Sequence, residues 1–372
     1  MKLAIVAHNL IRGDGQGRIN LEIARHAVDS GHQVTLISET AERELLDKGV
    51  TWHRIRPLFK RPTLLNEIGF VRLADKLLDQ TAKQFDVIIG NGYTLRHAHQ
   101  VNLCQFVHGA WMRSPVHVAK LIRGPRSWYQ RLYSWKNARS EKGAYAAAKF
   151  VVAPSQRIRS ELQSIGVPDS KIRVIYNGVD LNEFRPGSEN RASLGLPLAS
   201  PLALFVGDIR STRKNLDSVL KALVNVPQLH LAVGGNLKGS PFPAMAKELG
   251  VSDRVTFLDF RRDIGKLMRA VDFFIFPSRY EAGTLVLIEA LASGLPAVTA
   301  RTAGGCEIMS SDAGRIIEDP DDLPALTAAI AELASDESAR KSASIAARRI
   351  AERYSWTNMA QAYLDLVEES RR

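Results

Sequence analysis

The sequence predicts an α/β protein built of two doubly wound domains facing a central cleft. Three observations carry that prediction. Short apolar runs recur along the chain between segments with helical spacing, the pattern of parallel strands covered on both faces. The alternation is interrupted by a Pro- and Gly-rich stretch near the middle and then restarts. The length, 372 residues, exceeds what one hydrophobic core usually supports.

The elements follow in order. Lys2–His8 is a strand-like run that gives way to Gly13-Asp14-Gly15-Gln16-Gly17. Ile19, Ile23, Ala24 and Ala27 then fall on one helical face, and Ser30-Gly31 stops that helix. Val34–Ile37, Asp86–Gly90 and Lys149–Pro154 read as buried strands, and Arg173–Tyr176 closes the first series. Asn177-Gly178-Val179-Asp180 is a turn, followed by linker signals at Arg185-Pro186-Gly187-Ser188 and Pro197–Pro201. The second series runs through Leu202–Val206, Leu229–Val233, Val255–Leu258, Phe273–Phe276 and Ala297–Thr299. Ligands of such domains bind outside the carboxyl ends of the strands.

Composition narrows the class. Charged and hydrophobic fractions of 24% and 45% are ordinary for a globular chain. Cys104 and Cys306 are too few for a disulfide scaffold or a four-cysteine zinc site. No stretch has the length of a membrane span, and Leu3–Ala7 is too short for a secretory leader, so a cytoplasmic protein is expected. The net charge of +11 is local: Arg96–Ser160 holds twelve Lys/Arg and one acid, Glu141. Trp111, Trp128, Tyr129, Tyr133 and Trp135 lie in the same window. Cations interleaved with Trp and Tyr suit an anionic membrane surface. A solvated helical face with core aromatics fits equally, and a polyanion such as nucleic acid fits less well. The 96–160 region is therefore read as a contact for an anionic membrane, with no nucleic acid partner expected.

The segment Phe276–Gly294 carries the most chemistry. A strand ends at Pro277-Ser278, a glycine loop follows, and a helix is predicted from near Thr284. Backbone amides of Gly283, Thr284 and Leu285 at that helix start would suit a diphosphate. Glu281 precedes the helix and Glu289 lies inside it; each carboxylate can accept from vicinal hydroxyls. On spacing alone, two solvated helix carboxylates would look the same.

Glu281-x7-Glu289 after Pro-Ser, with Ala292–Pro296 following, resembles the retaining GT-B glycosyltransferases of family 4, the glycosyl transferases group 1. Asn177–Asp180, Val271–Phe274, Gly304-Gly305 with Glu307, and Tyr354-Ser355-Trp356 before a last helix match further motifs of that family. The resemblance implies a GT-B fold of two Rossmann-like domains. The first, 1–182 plus 355–372, would be on the acceptor side, and the second, 183–354, would bind the nucleotide sugar. It implies transfer of a hexose from a UDP-, GDP- or ADP-sugar to a glycan or lipid-linked acceptor, with retained configuration. The amino-terminal charge window points to lipopolysaccharide core, glycolipid or exopolysaccharide precursors, and to a peripheral position on the inner face of the cytoplasmic membrane.

By motif match Glu289 would hold the donor ribose, and Glu281 would lie beside the transferred sugar. Lys214 matches one member of the basic pair that grips the diphosphate. The other position is Asp208, so Arg210 or Arg213 is expected to replace it, since a guanidinium reaches phosphate oxygens bidentately. Ala282 stands where an aromatic is commoner. His108 matches a histidine near the donor sugar and acceptor, and the loop Gly15, Gln16 and Gly17 would face the cleft. Catalysis is thus assigned to His108, Glu281 and Lys214. The donor is a substrate, no cofactor is implied, and no metal is required: Asp319-Pro320-Asp321 reads as a turn capping the helix from Leu323. Glu307 fits loop packing or a donor contact equally. Alternatives are a sugar-nucleotide epimerase of the same architecture, a dehydrogenase, whose glycine fingerprint is absent from Gly13–Gly17, and a non-catalytic polyanion-binding protein.

Overall fold

The computed structural model describes residues 1–57, 59, 61–199 and 201–371. Ser200 of the expected linker and Arg372 of the expected first domain lie outside the described residues. The chain divides into two compact units, Met1–Asn177 with Trp356–Arg372, and Gly178–Ser355. The division falls at Asn177/Gly178 rather than at 182/183. Val179 donates its N–H to Tyr354 O at 2.9 Å and pairs with Ser355, so the turn joins the second unit.

The strands of the first unit are β1 (Lys2–Val6), β2 (Asn9–Leu10), β3 (Gln33–Ser38), β4 (Thr40–Ala41), β5 (Thr51–Arg54), β6 (Val87–Asn91), β7 (His99–Leu103), β8 (Ala148–Ala153) and β9 (Ile172–Val174). Among the described residues seven form a parallel sheet in the order β5-β3-β1-β6-β7-β8-β9, and β2 pairs with β4. The order reverses between β1 and β6, whose register sets Leu3 against Val87 and Val6 against Gly90. Leu3, Ile5, Val87, Ile89 and Val101 sit in one buried cluster, and Ala4, Val6 and Ile88 in another, so both faces of the central strands are covered. The last helix, Trp356–Arg371, belongs to this unit. Its Met359, Tyr363, Leu364 and Val367 enter the first cluster, Arg18 stacks on Trp356 at 5.5 Å, and Lys149 Nζ donates to Ser370 O at 2.7 Å.

The second unit contains β10 (Leu202–Val206), β11 (His230–Gly234), β12 (Val255–Phe257), β13 (Phe273–Phe276), β14 (Ala297–Ala300) and β15 (Gly314–Ile317). They form a parallel sheet in the order β12-β11-β10-β13-β14-β15, reversing between β10 and β13. Phe205, Phe273, Phe274 and Phe276 are fully buried in its core.

Strands β5, β7 and β15 carry no continuous apolar run. The edge strand β5 exposes Thr51, His53 and Arg54, so only part of it needs apolar character. Inside the sheet, β7 buries His99 and Asn102. The Asn102 amide nitrogen donates to His99 Nε2 at 2.9 Å and to Gly92 O at 2.9 Å, and His99 Nδ1 bonds His97 O at 2.8 Å, so both ring nitrogens and the amide NH₂ are paired inside the sheet.

Candidate functional site

In the second unit the site forms outside the carboxyl ends of β10 and β13, where the strand order reverses. After β10 the chain makes a one-turn helix, Thr212–Lys214, and Asn215 follows with φ +67°. Asn tolerates that left-handed conformation because its short amide can bond locally. Here the amide donates to Pro277 O at 3.0 Å and Pro320 O at 2.6 Å, tying the turn to the end of β13. Lys214 is thereby fixed, its stem against Gly207 and its Nζ 5.1 Å from the Phe276 ring centre.

Three donors converge on one oxygen of Glu281. Lys214 Nζ pairs with Oε1, Arg213 Nη1 donates to it at 2.7 Å, and Ser278 Oγ donates at 3.2 Å. Arg213 also donates to Tyr280 O at 3.1 Å. Burial pulls the Lys214 ammonium below the ordinary lysine range; Glu281 opposes that shift and Arg213 adds to it. Two cations on one carboxylate leave a local excess of positive charge in a half-dry site, which favours an incoming anion.

Arg210 is placed differently. Its Nε and Nη2 bond both oxygens of Asp208 at 2.8 and 3.0 Å, and that contact holds the Asp208 carboxyl below its usual range. Of the two expected arginines, Arg213 meets Lys214 and Glu281, and Arg210 neutralises Asp208. Arg279 is held by Asp217 at 2.8 Å and Asp321 at 2.7 Å. Asp319 Oδ1 accepts from the Asp321 N–H at 2.9 Å, and Asp322 caps the helix Leu323–Ser335 through the Ala325 N–H at 2.9 Å.

The loop carrying Glu281 is stitched to the chain after β14. Glu281 N–H donates to Thr302 O at 3.2 Å, Gly304 N–H to Glu281 O at 3.1 Å, and Thr284 N–H to Gly304 O at 2.8 Å. A Cβ on Gly304 would lie 2.2 Å from Ala282 O, so only glycine permits this approach. The expectation that the Thr284 amide is offered to a ligand is therefore corrected: the Gly304 carbonyl takes it. The helix begins one residue later, Leu285–Ala292, and the Thr284 hydroxyl bonds Gly304 O at 2.9 Å instead of capping the first turn. First-turn amides without a side-chain cap are the groups a helix start offers to an anion. Glu289 is half-buried on this helix. Glu307 accepts the Gly305 N–H at 3.0 Å, and Cys306 is buried, its thiol pushed up to about 11 chiefly by that burial.

In the first unit a polar cavity opens beyond the carboxyl ends of β1 and β6. Its lining includes His8, Asn9, Asp14, Asn20, Tyr93 and His108. Gly15, Gln16 and Gly17 form the first turn of the helix Gly15–Asp29, not a free loop, because the Asp14 carboxylate accepts the Gly17 N–H at 3.3 Å and caps it. Gln16 and Gly17 still reach the cavity.

His108 is oriented by Glu141, which is fully buried. The carboxylate accepts from His108 N at 2.9 Å, from His108 Nδ1 at 3.0 Å and from Gly109 N at 2.8 Å. In the neutral form of the ring, donation of Nδ1–H to this acceptor-only carboxylate puts the lone pair on Nε2. His8, which lines the same cavity, makes a second pair of this kind, its Nδ1 lying 2.9 Å from Glu39 Oε1. Tyr93 stands edge-on to His108 at 5.3 Å and donates to Glu67 at 2.8 Å, a carboxylate that also accepts from Tyr133 at 2.6 Å and Asn137 at 3.1 Å.

Sequence reasoning missed His8, Tyr93 and Glu141. One signal for Glu141 was present, since it is the single acid in the basic window. For His8 and Tyr93 the only signal was position, each closely following a strand at the reversal point.

Comparison with known proteins agrees with this geometry. Residues 13–183 match the family model Glycosyltransferase Family 4, and residues 187–350 match Glycosyl transferases group 1. D-inositol 3-phosphate glycosyltransferase of Mycobacterium tuberculosis is 37% identical over 168 residues, 42% of this chain. The match spans 35% of that relative's length. The structure of WaaG, a glycosyltransferase involved in lipopolysaccharide biosynthesis, superposes with TM-score 0.77 over 98% of this chain and 99% of WaaG, at 20% identity. Anabaena HepE in complex with UDP gives TM-score 0.76 over 99% of this chain and 100% of HepE, at 22% identity. The structural likeness at this identity speaks for the fold, and the two consecutive family matches speak for descent: the chain belongs to the GT-B glycosyltransferases of group 1.

Proposed function

We propose that the protein moves a hexose from a nucleoside diphosphate sugar to a hydroxyl of a glycan or lipid-linked acceptor. In this reading configuration is retained, no metal takes part, and the enzyme works at the inner face of the cytoplasmic membrane. The observation that carries it is the meeting of Lys214 and Arg213 on Glu281, beside an uncapped helix start at the strand reversal.

Breaking a sugar–phosphate bond leaves negative charge on the departing diphosphate and builds positive charge on the ring. Fixed cations and oriented amides aimed at the leaving oxygen lower that barrier most. Lys214, Arg213 and the amides around Gly283 and Leu285 supply them. As the diphosphate draws the cations away from Oε1, the Glu281 carboxylate becomes an acceptor for sugar hydroxyls. Glu289 takes the ribose hydroxyls. His108, its Nδ1 proton committed to Glu141, offers Nε2 to a hydroxyl of the sugar or acceptor. Amide and hydroxyl side chains in the same cavity suit a polyol. HepE was solved with UDP-glucose, which supports a sugar nucleotide as the donor.

The test is a thermal-shift panel of UDP, GDP, ADP and NAD in EDTA, followed by product analysis with the matching sugar nucleotide. A ligand at 100 times its dissociation constant stabilises the folded state by about 2.7 kcal/mol. A shift with one nucleoside diphosphate and transfer of an anomerically unchanged hexose are expected. A shift with NAD alone, an epimerised free sugar, or turnover that needs added magnesium would each overturn its part of the proposal.

A further inference from the structure

We propose that the outer face of the helix Pro125–Ala147 docks on anionic lipid headgroups, and that docking acts on the His108 cavity because the inner face of the same helix builds that cavity. The helix has two functional stripes. Outward, Trp128, Leu132 and Trp135 are 74%, 53% and 53% exposed, spaced one helical turn apart. Arg131, Arg139 and Lys142 continue the exposed stripe, and the Arg131 guanidinium lies 5.9 Å from the Trp128 ring centre. Leu121, 49% exposed, and Arg123 and Arg126 extend it at the amino end. Among the described residues no carboxylate pairs with Arg123, Arg126, Arg131, Arg139 or Lys142, whereas Arg96, Arg157 and Arg159 of the same window are paired with Asp75, Glu161 and Asp169. Unpaired cations around exposed tryptophans match a headgroup layer, which accepts both the charge and the amphipathic rings. Among the described residues no helix is long and apolar enough to cross a membrane, so the contact lies on the surface.

Inward, Tyr133, Asn137 and Glu141 recur every fourth residue. Tyr133 and Asn137 bind Glu67, which holds Tyr93 in the cavity wall, and Glu141 holds His108. A rotation or shift of the helix under a bilayer contact therefore moves the groups that position His108 and Tyr93, with no independent linkage in between. The docking half stands alone; the coupling half rests on the glycosyl-transfer reading.

The experiment uses the full chain with phosphatidylcholine vesicles, with and without phosphatidylglycerol. Co-sedimentation and a blue shift of tryptophan emission are expected with the anionic vesicles only, and both fall as salt rises. Arg131→Ala with Arg139→Ala is expected to weaken vesicle affinity roughly thirtyfold, and Trp128→Ser with Trp135→Ser to abolish the blue shift while the melting temperature is kept. Release of nucleoside diphosphate from the sugar nucleotide selected by the thermal-shift panel should rise on anionic vesicles for the wild type. The tryptophan variant should keep its vesicle-free rate and lose that rise. No binding by the folded protein, or binding to single-stranded nucleic acid in place of vesicles, overturns the docking. Binding with an unchanged rate and unchanged His108 ring nitrogen shifts overturns the coupling. Binding without turnover under any condition would instead count against the transferase reading.

Discussion

Replacing Glu141 with glutamine tests how the cavity is held. In the native chain three N–H donors, His108 N, His108 Nδ1 and Gly109 N, lie 2.8–3.0 Å from a carboxylate that is 0% exposed. Glutamine replaces one acceptor oxygen with an NH₂ group. Whichever way the amide is turned, one backbone N–H then faces a donor. Each charge-assisted bond contributes about 1.5–3 kcal/mol and an orphaned buried donor costs about 1–3 kcal/mol. We therefore expect Glu141→Gln to destabilise the first unit by about 3 kcal/mol, visible as a fall of roughly 6–12 °C in its melting temperature. The new NH₂ can also donate to Nδ1, which moves the imidazole proton to Nε2 and removes the lone pair assigned to the substrate. Turnover should fall about a hundredfold, the scale of a lost proton-transfer or hydrogen-bonding partner. Denaturation by urea reads the stability, and ¹⁵N spectra of the His108 ring read the tautomer. A variant within about 0.5 kcal/mol of wild type that keeps its proton on Nδ1 would show that Glu141 does not orient His108.

Three further outcomes are expected. Lys214→Ala should lose most turnover and nucleotide-induced stabilisation while remaining folded. Because burial lowers the Lys214 pKa, the wild-type rate should fail on the alkaline side below pH 10.5, the ordinary lysine value, and a permanently charged Lys214→Arg should shift that limb upward. Gly304→Ala puts a Cβ 2.2 Å from Ala282 O, so the loop bearing Glu281 and Thr284 must move; a displacement near 1 Å at a reacting site costs about a hundredfold in rate. An unchanged kcat/KM would show that the loop is not part of the site. His99 is held neutral by burial, its pKa pulled from 6.5 down to about 4. The unfolded chain binds the extra proton between those values, so this contribution is intact above about pH 6.5 and lost as pH falls toward 4, by at most about 3 kcal/mol. His99→Gln should flatten that part of the stability curve, and an unaltered slope would assign it elsewhere.

How much was legible in the sequence differs between the two units. In the second, the strands that matter, β10 and β13, are continuous apolar runs, and the loop after each carries charge within a few residues. Lys214 and Glu281 could therefore be named by matching those loops to the family's motifs. Arg210 and Arg213 could not be separated, because the choice depends on Asp208 chelating one and Glu281 attracting the other, contacts made by side-chain reach rather than by order. The Thr284 amide was misjudged for a related reason: its acceptor, Gly304 O, arrives from twenty residues downstream. In the first unit the cavity is assembled from strand ends and helices far apart in the chain. His8, Tyr93 and Glu141 look ordinary in their own segments.

By itself the sequence determined what short-range physics controls: the alternation of buried strands with helices, the break near the middle, and the concentration of positive charge before Ser160. Tertiary structure alone decided which charges are spent on each other. It sent Glu141 inward to His108 and left Arg131, Arg139 and Lys142 facing outward on the same helix. Helical periodicity allows both arrangements, and the choice was made by which face the sheet and its neighbouring helices cover, since a buried carboxylate persists only where fixed donors replace water.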